Sequence, residues 1–89
     1  MAFMSKDLSV LAYANGFTLW HYTTPDVAAT VDTTGYFNTA TDMLRIGDMV
    51  LANTSTGGIP SSGIYLVNAN ALGVVDVADM TVVGAVDTD

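Results

Sequence analysis

Phe17-Thr18-Leu19-Trp20-His21-Tyr22-Thr23-Thr24 decides the fold class of this chain. Its aromatic and β-branched residues suit a pleated, half-buried surface. Asn15-Gly16 before it is a hairpin-turn pair, and Pro25 after it cannot donate to a strand ladder. The segment reads as a strand bounded by a turn and a stop. Odd positions supply Phe17, Leu19 and His21 while even positions supply Thr18, Trp20 and Tyr22, so neither face is plainly solvent-facing. One side is expected to meet the core and the other a neighbour.

Working outward, residues 27–34 are weakly patterned and read as a strand or an extended loop, closed by Gly35-Tyr36-Phe37. Asn38 is placed to cap a short helical turn through Arg45, with Asp42 near its amino end and Arg45 near its carboxyl end, and Gly47 ends it. Phe37, Met43 and Leu44 are expected to anchor that turn. Residues 48–53 and 63–68 are two further strands, paired antiparallel around a Gly-, Ser- and Thr-rich loop. A turn over residues 68–73 leads to a strand at 74–77, a bulge or bend is expected at Asp79, and residues 81–83 continue to Gly84. The terminal residues 85–89 are expected to fray. The fold expected is mainly β, a small antiparallel β-sandwich or barrel with one short helix. Residues 1–12 read as an N-terminal arm, and residues 13–89 as a single β domain.

The chemical inventory excludes more than it proposes. The 89 residues hold one His, no Cys, no Glu and two basic side chains, Lys6 and Arg45, against nine acidic ones, all Asp. Hydrophobic content of 51% with 12% charged residues is the composition of a chain that folds. A domain of this size buries only about 60% of its unfolded surface, so symmetry or partners are expected to add stability. A net charge of −7 leaves almost nothing to neutralise phosphates. Nucleic acid and anionic membrane are therefore not expected partners. The acidity either selects a basic protein surface or keeps an apolar-rich chain soluble. The first residues lack the pattern of a signal peptide, and no apolar run is long enough to span a bilayer, so a soluble cytoplasmic product is expected.

No motif predicts catalysis or a cofactor. His21 is the one side chain that titrates near neutrality, but no partner nucleophile or carboxylate is legible beside it, and packing or a hydrogen bond is its expected role. Asp76/Asp79 and Asp87/Asp89 are too sparse for a calcium cage, and one His without Cys cannot fill a zinc site. Gly57-Gly58 lacks the lysine of a phosphate loop, and Asn53-Thr54-Ser55 is a chance sequon. The aromatic residues Tyr13, Phe17, Trp20, Tyr22, Tyr36 and Phe37 serve a core, a protein interface, or both.

Leu11-Ala12-Tyr13-Ala14-Asn15-Gly16-Phe17-Thr18-Leu19-Trp20-His21-Tyr22, with Gly35-Tyr36-Phe37-Asn38, Leu44-Arg45-Ile46-Gly47-Asp48 and Gly73-Val74-Val75-Asp76-Val77, resembles a family of small proteins encoded beside the head genes of tailed bacteriophages and prophages. That resemblance implies a non-enzymatic capsid decoration, or cement, protein. It would be made in the host cytoplasm and sit on the outer surface of the virion head, bound to the major capsid protein. Self-association, as a homotrimer, is expected with it. Phe3, Leu8, Val10, Tyr13, Trp20, Tyr22 and Tyr36 are the candidate interface residues. The competing reading is a head-fibre or tail adaptor, or a carbohydrate-contacting module using Trp20 and Tyr22. Copy number separates them, since cement is expected in many copies per particle and an adaptor in few.

Overall fold

Asn15 and Gly16 both adopt positive φ, 54° and 78°, the backbone of a two-residue hairpin turn that matches strand twist. In the computed structural model, which describes residues 3–84, this turn joins β1 (Leu8–Ala14) to β2 (Phe17–Thr23). Residues 8–12, expected as part of an arm, are thus strand. Leu8 pairs with Tyr22 and Ala14 with Phe17, and a bulge between Val10 and Ala12 leaves Leu11 unpaired. The two-residue alternation breaks at Leu11, which hides this strand from a periodicity reading. Ahead of it, residues Ser5–Asp7 form a single 3-10 turn.

After β2 the chain crosses over one face of the sheet before returning as β3 (Met49–Thr54), parallel to β2 from Leu19↔Met49 to Thr23↔Asn53. β4 (Ser61–Ala71) pairs antiparallel with β3, and β5 (Val74–Val77) returns along the far half of β4 through a tight turn at Leu72-Gly73. β6 (Thr81–Val82) pairs with the near half of β4. The result is one six-stranded sheet in the order β1-β2-β3-β4-β5, with β6 also on β4. The domain is mainly β, as expected. The expected antiparallel pairing holds everywhere but β2–β3, where a crossover replaces a hairpin and forces the parallel sense. Residues 85–89, expected to fray, lie outside the described residues.

Within the crossover the helical residues differ from expectation. The α-helical turn is α1 (Ala28–Val31), where a strand or loop was expected, and the segment after Asn38 forms only a 3-10 turn, Asn38–Ala40. The reason lies in where the Asn38 side chain goes. Instead of capping its own turn, its Oδ1 accepts the Val75 N–H at 2.9 Å and fastens the crossover to β5. Phe37 and Leu44 are buried as expected, whereas Met43 is exposed.

The inner face of the sheet, carrying Trp20, Tyr22, Val50, Tyr65, Val67, Val75 and Val77, packs on Val31, Phe37, Ala40 and Leu44 of the crossover. Phe3 joins from the N-terminus, with its ring centroid 5.3 Å from Tyr22 and 5.2 Å from Phe37. Gly63 is required by close approach, because a Cβ there would collide with the Thr81 carbonyl and the Met80 side chain crossing beneath β4. At the other end of the core lies Asp48, only 1% exposed. Its Oδ1 accepts the Thr18 N–H at 3.2 Å, and its Oδ2 accepts Trp20 Nε1–H and the Arg45 N–H, each at 3.1 Å.

Asp48→Asn places an amide N–H₂ where a buried donor now points. It is expected to lower the unfolding free energy by about 1–3 kcal/mol, read as a lower urea midpoint with an unchanged slope. A second outcome concerns alkaline pH. Burial foremost, then the hydrogen bonds with Tyr22 and Asp26, hold the Tyr36 hydroxyl far above its ordinary 10.0, while burial and the nearby Asp32 and Asp79 push Tyr65 up to about 12. Both phenols keep their protons in the folded chain while the unfolded chain releases them. Stability is therefore full below pH 10.0 and falls as pH rises above it through the folded values. Urea midpoints measured across that range should decline, and less steeply in Tyr36→Phe.

Candidate interaction surface

Cross-strand partners share a face of the sheet, so the β1–β2 register sorts the seven candidate interface residues. Leu8, opposite Tyr22, is buried together with Tyr22 and Trp20 in the core. Phe3 and Tyr36 are partly buried against that core, where Tyr36 Oη donates to Asp26 Oδ2 at 2.7 Å and lies 2.9 Å from Tyr22 Oη. Val10 and Tyr13 stand apart from them. Opposite Trp20 and Thr18 on the edge strand β1, they are nevertheless 55% and 62% exposed. Leu11, in the bulge, is 53% exposed beside them and belongs to the same patch, which the sequence did not disclose.

The second exposed surface is the outer face of the sheet, opposite the crossover. The registers line up Leu19, Met49 and Leu66 in one row and His21, Leu51 and Ile64 in the next. Met49 and Leu66 are 39% and 40% exposed, and the other four are half-buried. A third row, Thr23, Asn53 and Ser62, is polar and internally bonded. Asn53 Nδ2 donates to His21 Nε2 at 3.2 Å, and Ser62 Oγ donates to Asn53 Oδ1 at 2.7 Å. His21 Nε2 thus belongs to a hydrogen-bonded row, with Thr23 Oγ1 also 3.4 Å from it. Two shallow grooves cross this face, one of about 240 Å³ beside His21, Leu51 and Val83, the other of about 350 Å³ beside Met49, Ile64 and Leu66.

The β1 to β4 part of both surfaces lacks acidic and basic side chains for a reason visible in the chain, while Asp76 of β5 lies at an outward position. Residues 8–25 and 49–75 contain no Asp, Glu, Lys or Arg, so β1 to β4 contribute no formal charge apart from whatever His21 carries. The acids sit in the turn before β1 (Asp7), in the crossover and beyond β4. Asp79 alone among the described residues comes to the rim of the larger groove.

Asp79, in the β5–β6 connection, also faces Asp32. Burial, then the charge of Asp79, its hydrogen bond and the charge of Asp76, raise the Asp32 carboxyl above its ordinary 3.8. Among the described residues, no group of three or more acids or histidines is arranged to hold a metal ion. No helix among them is long and apolar enough to cross a membrane. No family model, curated protein or solved structure matches this chain.

The Asp32–Asp79 pair yields a signed expectation. A carboxyl with a raised folded-state pKa contributes its stability fully below 3.8 and loses it as pH rises through the folded value. Asp79→Asn removes the largest charge acting on Asp32 while keeping a hydrogen-bonding side chain. It should raise the melting temperature at neutral pH, and the gain should shrink in acid as pH falls toward 3.8 and Asp32 takes up its proton.

Proposed function

We propose that this chain is a structural protein of a tailed-phage particle, a homotrimeric decoration protein that binds the major capsid protein on the outer surface of the head. The resemblance of residues 11–22, 35–38, 44–48 and 73–77 supports this reading. The observation that carries it is the state of β1. An edge strand normally carries charges, proline or a cover that prevents pairing with another chain. β1 carries no charge or proline along Leu8–Ala14, its one such device being the bulge at Leu11, and among the described residues no strand pairs its outer edge, beside which Val10, Leu11 and Tyr13 are exposed. Such an edge can take up a strand of a neighbouring subunit, with the side chains adding selectivity. Acidity fits the outside of the head, since a lumenal protein of charge −7 would face packaged nucleic acid.

The N-terminal residues act differently from a free arm in this reading. Phe3 belongs to the aromatic cluster, and the Met4 N–H donates to Tyr22 Oη at 3.2 Å, so deleting residues 1–10 would damage the fold along with any binding. Point substitutions on β1 separate the two. Val10→Asp and Tyr13→Ala should each weaken sedimentation with purified expanded heads by at least about tenfold, the loss expected of an interface anchor, while the melting temperature stays near that of the unaltered chain. Failure of the unaltered chain to bind any head overturns the decoration reading. Presence at a single vertex of the particle assigns the chain to a fibre or tail adaptor.

A further inference from the structure

We propose that the hydrogen-bonded row His21, Asn53 and Ser62 on the outer face of the sheet is a proton-driven switch. When His21 takes up a proton, the Asn53 amide turns over, the direction of the row reverses, and Ser62 changes from presenting an acceptor to presenting a donor. The switch sits apart from the β1 edge and requires no partner.

With His21 neutral, the direction of the row follows from atoms that can only give or only take a proton. The Asn53 amide nitrogen can only donate, so His21 Nε2, 3.2 Å away, accepts, and the ring keeps its proton on Nδ1. Asn53 Oδ1 can only accept, so Ser62 Oγ, at 2.7 Å, commits its hydroxyl proton to it and turns its lone pairs outward.

A protonated imidazole has two N–H groups and no acceptor. Its Nε2–H then meets the Asn53 N–H₂ group, donor against donor. Thr23 Oγ1, at 3.4 Å from Nε2, is too distant to accept that proton in a good hydrogen bond. Half a turn of the amide about its last side-chain bond resolves both ends together. Oδ1 then accepts from His21 Nε2–H, and Nδ2 donates to Ser62 Oγ. That torsion is soft and roughly two-fold, and the amide makes no hydrogen bond among the described residues beyond the two that reverse. The backbone need not move, since the Asn53 carbonyl keeps the Thr24 N–H at 2.9 Å in either state. Ser62 is exposed, so its released hydroxyl proton can turn to water.

His21 faces Ser9 from β1, Leu51 from β3 and Val83 from the chain after β6, besides Thr23, Asn53 and Ser62. None of these is charged or titrates where histidine does. Among the described residues the reversal therefore follows a single proton. It sets a positive charge and an outward hydroxyl donor on the groove of about 240 Å³.

Nuclear magnetic resonance of the ¹⁵N-labelled unaltered chain, taken from about pH 8 to about pH 5 across the ordinary range of histidine, tests this directly. The neutral ring is expected as the Nδ1–H tautomer. As it titrates, the Asn53 side-chain amide resonances should shift with the same midpoint, and their nuclear Overhauser contacts should pass from the His21 ring to the Ser62 side chain. The circular dichroism spectrum should stay unchanged. In His21→Gln the Asn53 amide resonances should be flat over this range. A neutral ring protonated on Nε2 overturns the proposal, because the row would already run in its acid direction. So do amide contacts that stay on the ring after it is protonated, or an Asn53 amide that still titrates in His21→Gln. The contacts in the unaltered chain decide the matter even if that variant fails to fold.

Discussion

The buried carboxylate of Asp48 is the constraint on which the rest of the structure depends. A parallel pair such as β2–β3 has no hairpin to set its register, and the long crossover between the two strands leaves their alignment to tertiary contacts. Asp48 supplies one at the point where the crossover ends. Through its side chain it holds the Thr18 backbone, the Trp20 indole and the Arg45 backbone, and its own carbonyl accepts the Val67 N–H at 2.9 Å. Strands β2 and β4 and the last turn of the crossover are thereby fixed relative to β3 by one residue. Shifting β2 by one position would leave the Asp48 carboxyl buried without the Thr18 and Trp20 donors and would move Trp20 and Tyr22 out of the core.

That clasp also explains how a sheet with two apolar faces has a defined inside. Apolar residues alone do not distinguish the face of Trp20 and Tyr22 from the face of Leu19, Leu51 and Ile64. Polar anchors do. Asp48 bonds the Trp20 indole at one end of the inner face, and at the other Asp26, Tyr36 and Tyr22 form a chain of hydrogen bonds closed by the Met4 N–H. The crossover carries both carboxylates, so it can settle on only one side of the sheet. The opposite side keeps its apolar rows without a cover from this chain's described residues.

How much of this was legible in the sequence depends on whether a signal was local. The Asn15-Gly16 turn, the strand after it, the strands at β3 and β5, and the buried Phe37 and Leu44 all follow from residue type and spacing. β1 was missed because the Leu11 bulge interrupts its alternation, and α1 because Val27-Ala28-Ala29-Thr30-Val31 mixes helix formers with β-branched residues. The helical turn expected after Asn38 was reduced because that side chain bonds Val75, thirty-seven residues away, which no local reading can foresee. The candidate interface residues show the same limit. Trp20 and Tyr22 have the composition of an interface anchor, yet alternation cannot say which of two apolar faces is turned inward, and both are core. Asp48 looked like one acid among nine, since burial of a carboxylate is written in its partners rather than in its neighbours along the chain.

The division of the surface has a physical consequence for how such a chain can evolve or be altered. Residues that fold it and residues left to bind are neighbours in sequence but opposite in direction. Along β2 the inward set Thr18, Trp20 and Tyr22 alternates with the outward set Leu19, His21 and Thr23. A substitution at an outward position changes a surface, whereas one residue further along it opens the core or strands a hydrogen-bonded carboxylate. Binding properties can therefore change through odd positions of β2 and β3 and even positions of β4 up to Leu66 without disturbing the inner packing, whereas beyond the bulge Asn70 turns inward and bonds Thr41 and Leu44. The same separation fails at the N-terminus, where Phe3 and Met4 are engaged with Tyr22 and only β1 from Val10 onward projects beyond the core. A partner that draws on the residues before Leu8 would have to take them from the aromatic cluster, so association through the β1 edge is the route that leaves the fold intact.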